Sequence, residues 1–259
     1  MRKMSLVLCL LLLVSLVVSA DVYVIPVKGT IEHGVSSFVA RAVRTAERNR
    51  ADLVVVEIDS LGGLVDAALD IRDTIIRSNV PIVTFVTGRA WSAGALIALA
   101  GEELYMVSSS SIGSAETRPK EEKIISALRR EFKATAETRG KDGKLAEAMV
   151  DSDVEIPGIN PKGKILNLTA KDAETYKISD GTIDTLNILL EIKGVADENI
   201  IAEEPTGAEK FARFLTEPIV SSLLLTIGFL GIILEFFTAG WGAAGTVGIL
   251  SLALFFGGR

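Results

Sequence analysis

Residues 53–76 read LVVVEIDSLGGLVDAALDIRDTII, and this stretch decides the fold. Leu53 to Ile58 is an apolar run of the kind found in strands buried on both faces. The glycine pair Gly62-Gly63 marks a turn, and Leu64 to Ile76 resumes at helical spacing with Asp66, Asp70 and Asp73 on its polar face. Strand, turn and helix in that order form half of a βαβ unit.

The same alternation extends on both sides. Val22 to Ile31 reads as a strand, and Gly34 to Arg48 as a helix carrying Val35, Phe38, Val39, Ala42, Val43 and Ala46 on one stripe. Pro81 to Val86 is a third strand, Ala93 to Ala100 a short apolar helix, and Leu104 to Val107 a fourth strand. This order predicts an α/β domain with parallel strands and helical crossovers. Farther on, Glu121 to Arg139 is a charged helix with an apolar stripe at Ile124, Ile125, Leu128, Phe132 and Ala136. Lys141 to Gly163 is rich in Gly and Asp and reads as a mobile loop. Ala170 to Lys177 is a short helix, and a last element falls around Leu186 to Ile192.

Both ends are apolar and raise the hydrophobic fraction to 49%. Arg2 and Lys3, an apolar run from Met4 to Val18, and Val18-Ser19-Ala20 read as a secretory leader cleaved before Asp21, the alternative being a permanent membrane anchor. Pro218 to Phe237 is long enough to cross a hydrocarbon core of about 30 Å. A shorter apolar run, Ala243 to Phe256, follows the turn Thr238 to Gly242. Glu235 inside the first run reads as a boundary residue, and Gly228 and Gly231 suggest close helix packing. The resulting division is a leader at 1–20, a soluble domain at 21–200, a linker at 201–217 and a membrane segment at 218–259.

Composition excludes several functions. The net charge of −6, with no basic patch carrying interleaved aromatics, argues against a nucleic-acid partner. Cys9, inside the leader, is the only cysteine, and His33 the only histidine, so a zinc site lacks ligands. No cofactor motif is present: neither a Walker loop nor GxGxxG occurs.

Three segments carry candidate chemistry. Ser92, in Gly88-Arg89-Ala90-Trp91-Ser92-Ala93-Gly94, lies between a strand and a helix, where it can be a nucleophile or simply a helix cap. Gly62 and Gly63 offer unobstructed backbone N–H groups; with the amide of Ala93 they are candidates for an oxyanion hole, or else only a tight turn. With a single histidine in a loop context, the base for Ser92 would be a lysine, and Lys120 and Lys123 both stand at a helix start.

Taken together, Asp59-Ser60-Leu61-Gly62-Gly63-Leu64, Ser92-Ala93-Gly94, Ser111-Ile112-Gly113, Leu168 to Ala173, Ile178-Ser179-Asp180-Gly181 and the segment Gly231 to Gly245 resemble the NfeD-type membrane-bound serine proteases. These belong to the ClpP-class, crotonase-like superfamily. The resemblance implies a ClpP-like domain with a C-terminal transmembrane helical segment, acting as a serine endopeptidase with a Ser–Lys dyad on apolar stretches of membrane-associated proteins. It implies Ser92 as nucleophile; counting back from Arg139-Gly140, it places the base at Lys123 rather than Lys120. It further implies a homodimer or larger assembly, a stomatin-like partner, and a protease domain on the extracytoplasmic side of the membrane. Two positions depart from the pattern: Leu61 replaces the proline usual before Gly-Gly, and Trp91 replaces a small residue before the serine. Longer relatives add spans and a small β-barrel, so the chain reads as a short form or a fragment. Two other readings stand beside the protease: a ClpP-like scaffold organising a stomatin-like partner, and a signal-peptide peptidase using the same dyad.

Overall fold

The structure, a computed structural model, describes residues 21–196, 199–237 and 242–258; the leader read at 1–20 and residues 238–241 of the apolar turn lie outside them. Strand β1 (Asp21–Ile31) leads to helix α1 (His33–Arg48), β2 (Leu53–Gly63) to α2 (Val65–Ile76), and β3 (Ile82–Trp91) to α3 (Ala93–Leu99). β4 (Glu103–Met106) and β5 (Ser111–Gly113) follow, then α4 (Glu122–Thr138) and α5 (Gly143–Val150). β6 (Asn167–Thr169), α6 (Ala170–Thr175), β7 (Gly181–Thr182), α7 (Leu186–Ile192) and β8 (Asn199–Ala202) complete the sheet domain. The chain continues into α8 (Gly207–Thr216), α9 (Pro218–Phe236) and α10 (Ala243–Gly257).

The strands form one sheet in the order β6-β5-β3-β2-β1-β8, with β4 also on β3 and β7 on β4. Every pairing is parallel except β5–β6. On the edge away from β2, strand β3 serves two neighbours: its first half pairs with β4, and Arg89 to Trp91 pair with β5. The apolar runs are explained by burial on both faces. Ile25, Val54, Val56 and Ile58 face the main core with Phe38 and Val39 of α1, while Val22, Val24, Val55 and Phe85 face Leu189 and Leu190 of α7. Each such side chain, fully buried, contributes roughly 1.5–3 kcal/mol.

Two segments differ from expectation. The stretch at 141–163, read as mobile, carries helix α5, of which Leu145, Ala146, Ala148, Met149 and Val150 are buried. Asp142 caps it by accepting from the amides of Lys144 and Leu145, and that cap turns a Gly/Asp-rich stretch into a helix start. The segment at 201–217, read as a linker, is structured as well. Residues 199–202 form β8 in parallel register with β1, and Thr206 opens α8 with a capping box closed by Glu209.

The two apolar runs form a close-packed helical hairpin. A Cβ on Gly231 would come within 2.6 Å of the Ala244 carbonyl, and one on Gly228 within 2.6 Å of Leu252. Glu235 is more than a boundary residue, since its carboxylate accepts from the amides of Gly242 and Gly245 and so caps α10. α9 is long and apolar enough to cross a membrane from Ile219 to Phe236; α10 is a shorter apolar helix.

Candidate active site

Ser92 stands where β3 meets α3, at the carboxyl edge of the sheet. Its amide donates to the Gly113 carbonyl (2.9 Å), extending the β3–β5 pairing by one residue, and its carbonyl accepts from Ala95 N (3.0 Å). Between these two demands the backbone turns at φ 53°, ψ −120°. A serine there is strained, because its Cβ crowds the backbone in a region that glycine alone enters freely. Although Ser92 occupies the N-cap position, its side chain caps nothing. Among the described residues its half-buried hydroxyl has no hydrogen-bond partner. A cap would sit in extended backbone with its oxygen on an N–H; Ser92 does neither.

The glycine pair lies alongside. Strand β2 does not end before the glycines, as the sequence suggested, but runs through them in register with β1, pairing Thr30 with Gly62 and Ile31 with Gly63. Gly62, at φ +115°, is packed on the serine: a Cβ there would lie 2.7 Å from Ser92 Cβ and 3.1 Å from Ser92 Oγ. A Cβ on Gly63 would reach 2.0 Å from the Ile31 carbonyl, so glycine permits β1 and β2 to approach this closely. Leu64 N donates to Ile31 O (2.8 Å). Gly63 itself is exposed, and Ala93 opens α3 directly after the serine.

Residues to which the sequence assigned no role hold this geometry. The Ser60 hydroxyl donates to the Gly29 carbonyl (2.6 Å) and accepts from the Gly62 amide (3.0 Å), locking the bulged ends of β1 and β2 together. Asp59 accepts from Arg89 N (3.0 Å) across a second irregularity, between β2 and β3. The Trp91 indole donates to Ser111 Oγ (2.8 Å), so the bulky residue before the serine is anchored on β5. Beside Gly62 opens a cavity of about 300 Å³ lined by Lys28, Gly29, Thr30, Asp59, Leu61, Gly62 and Arg89. Leu61, Leu64 and Val65 flank the glycines as exposed apolar side chains.

The two lysines differ in their company. Lys120 pairs with Glu116 at 2.5 Å. Lys123 is exposed in the first turn of α4; among the described residues it makes no ion pair or hydrogen bond, with Ser92 or with any other group. The geometry thus packs Gly62 against Ser92, with Gly63 and Ala93 their neighbours in the chain, and leaves Lys123 in solvent. His33 begins α1 and faces Asp66 at 3.6 Å; no contact joins it to Ser92 among the described residues.

Comparison with known proteins agrees with the fold and the membrane segment. Residues 21–203 match the family model described as NfeD1b, N-terminal domain, and residues 219–259 the NfeD integral membrane domain. Membrane protein NfeD1b of Bacillus subtilis (strain 168) is 38% identical over 244 residues, covering 92% of this chain and 56% of that protein. Membrane-bound protease PH1510 of Pyrococcus horikoshii is 28% identical over 253 residues, covering 90% of this chain and 57% of its own. The chain therefore spans little more than half the length of these relatives. Among solved structures, a lysine-to-alanine mutant of the 1510-N membrane-bound stomatin-specific protease, in complex with a substrate peptide, superposes with a TM-score of 0.65 at 22% identity, covering 78% of this chain and all of that one. ClpP1 from Listeria monocytogenes gives a TM-score of 0.52 at 20% identity, over 64% of this chain and 94% of its own. At these identities the structures speak for the fold, which is ClpP-like.

Proposed function

Because this chain belongs to the NfeD1b family, with an integral membrane domain behind a ClpP-like fold, we propose that it is a membrane-tethered serine endopeptidase with Ser92 as nucleophile. The observation that carries the reading is the conformation of Ser92: strained, and with a hydroxyl that bonds to no other protein group among the described residues. Strain of this kind persists where a function needs it, and a strand-to-helix turn that presents a serine is the device of the nucleophile elbow.

In this reading the Lys123 amine accepts the proton of Ser92 as Oγ bonds to a peptide carbonyl carbon. The oxyanion that forms is held by the amides of Gly63 and Ala93, each worth about 3 kcal/mol in such a role. The lysine ammonium returns the proton to the departing amine as the C–N bond breaks, and water then hydrolyses the ester. A base of this type must be desolvated. Exposed as it is, Lys123 would meet that condition only when an apolar peptide lies over the site, and Leu61, Leu64, Val65 and Ile124 offer apolar surface for one. The related 1510-N protease is described as stomatin-specific, and a stomatin-like membrane protein is the proposed substrate or partner here. The oligomer and the extracytoplasmic placement of the domain belong to the same proposal.

The test is cleavage of an apolar peptide by the full chain in detergent. Ser92→Ala abolishes it, Lys123→Ala reduces it by orders of magnitude, and Lys120→Ala leaves it near native; undiminished cleavage by Ser92→Ala overturns the reading. The exposure of Lys123 favours a second reading, a scaffold that binds a stomatin-like partner without cutting it. That reading predicts no cleavage by the native chain and unchanged partner binding by Ser92→Ala.

A further inference from the structure

Helix α8 links the sheet domain to the membrane hairpin, and its two sides are unlike. One side is docked on the domain. Arg213 lies 3.1 Å from Glu32, and Glu209 lies 2.8 Å from Arg41, which also holds Glu203. The other side presents Phe211 and Phe214, 54% and 58% exposed and three residues apart on one helix face. Two phenylalanines left in water on a short helix call for a partner.

The position of α8 identifies it. A single residue, Glu217, separates α8 from α9, and Leu215 Cβ lies 2.9 Å from where a Cβ on Gly258 would sit, just past the end of α10. Both outer ends of the hairpin therefore lie at the level of α8. Ile219 and Leu223, at the start of the spanning helix, are exposed apolar side chains as well. The cations of α8 are already engaged, Lys210 with Glu204 and Arg213 with Glu32, so apolar insertion rather than attraction to anionic headgroups would hold it.

We propose that α8 lies in the bilayer interface, with Phe211 and Phe214 inserted at the headgroup–acyl boundary. Its docked face then holds the domain at a fixed attitude to the membrane. Arg213 also donates to the Lys28 carbonyl (3.4 Å), so the helix on the lipid is tied to the strand end that lines the groove beside Gly62. The proposal does not depend on the chemistry of Ser92.

The test places a nitroxide at Phe211→Cys or Phe214→Cys in the full chain, with Cys9→Ser, in phosphatidylcholine vesicles. Collisions with oxygen and with a water-soluble nickel chelate give the depth. Both labels should favour oxygen and lie about 5–10 Å into the boundary, whereas a label at exposed Ala134→Cys on α4 favours nickel. The depth should not change when phosphatidylglycerol is added. Labels as nickel-accessible as Ala134→Cys overturn the proposal. Labels shielded from both reagents overturn it too, because protein then covers the face, and so does a depth that appears only with anionic lipid. If either variant loses the native thermal midpoint, Ala208→Cys, one turn earlier, carries the same expectation.

Discussion

Replacing Ser92 by glycine is expected to stabilise the protein while destroying the site. The non-glycine residue at φ 53°, ψ −120° costs about 1–3 kcal/mol, and glycine removes that cost. Glycine in turn loses about 0.5–1 kcal/mol more conformational entropy on folding than alanine. The half-buried Cβ packed on Gly62 forfeits less than the roughly 0.8 kcal/mol of a fully buried methylene. Taking the middle of each range, the net gain is about 1 kcal/mol, or about 2–4 °C in thermal midpoint for a domain of this size. Ser92→Ala retains the strain and loses only a hydroxyl with no protein partner among the described residues, so it should fall within about 0.5 kcal/mol of native. The decisive quantity is the order of Ser92→Gly and the native chain, read by thermal unfolding of the full chain in detergent. At an ordinary N-cap, replacing serine by glycine costs a few tenths of a kcal/mol; here it should stabilise. Ser92→Gly melting below the native chain would refute the strain argument, and with it the main support for Ser92 as nucleophile.

Other perturbations act elsewhere on the same scaffold. Gly63→Ala drives a Cβ to 2.0 Å from the Ile31 carbonyl, backbone against backbone, and should cost about 3 kcal/mol or more, seen as a lowered denaturant midpoint. Lys141, whose side chain is 3% exposed, pairs with Asp180 at 2.7 Å; because Asp180 is 39% exposed and keeps the Leu104 amide, Lys141→Ala should cost about 1–2 kcal/mol by the same assay. Burial raises the Glu209 carboxyl, but hydrogen bonds from Arg41 and from Thr206 lower it by more, leaving it below its ordinary value of 4.5. A carboxyl depressed in the docked state supplies docking free energy in full above pH 4.5 and loses it as pH falls through the docked value. A nitroxide at Ala208→Cys should therefore stay immobilised at pH 6 and gain mobility in stronger acid; Glu209→Gln should show that mobility already at pH 6.

The parallel α/β order was legible because Leu53 to Ile58 and its neighbours are long enough to declare burial on both faces. Strands β5, β6 and β7, of three, three and two residues, are too short for any periodicity, and tertiary pairing alone defines them. Gly143 lies in the Gly- and Asp-rich stretch read as mobile, yet it is the first residue of a helix started by Asp142, with a buried stripe behind it. β8 was passed over because acidic neighbours dominate its four residues, of which Ile200 and Ile201 are the strand signal. At the site, the motif around Ser92 could be read, but not its dihedral angles, which arise from the competing pulls of Gly113 and Ala95. Asp59 and Ser60 were seen without a role, since their bonds reach across bulges that no spacing announces.

The lysines show how far local chemistry and topology each constrain the mechanism. A serine without a histidine partner needs an amine free of carboxylates, and Lys120 fails that condition through Glu116. Lys123 meets it, although Glu121 and Glu122 precede it in the chain. It stands in solvent without a contact to Ser92 among the described residues, so in the proposed mechanism a bound substrate must both bring it to the serine and desolvate it. An enzyme whose base is completed by an apolar substrate would leave polar peptides uncut even when they reach the serine. Selectivity for apolar segments then arises in the chemical step as well as in binding, and replacing apolar residues of a good substrate by polar ones should lower kcat together with raising KM.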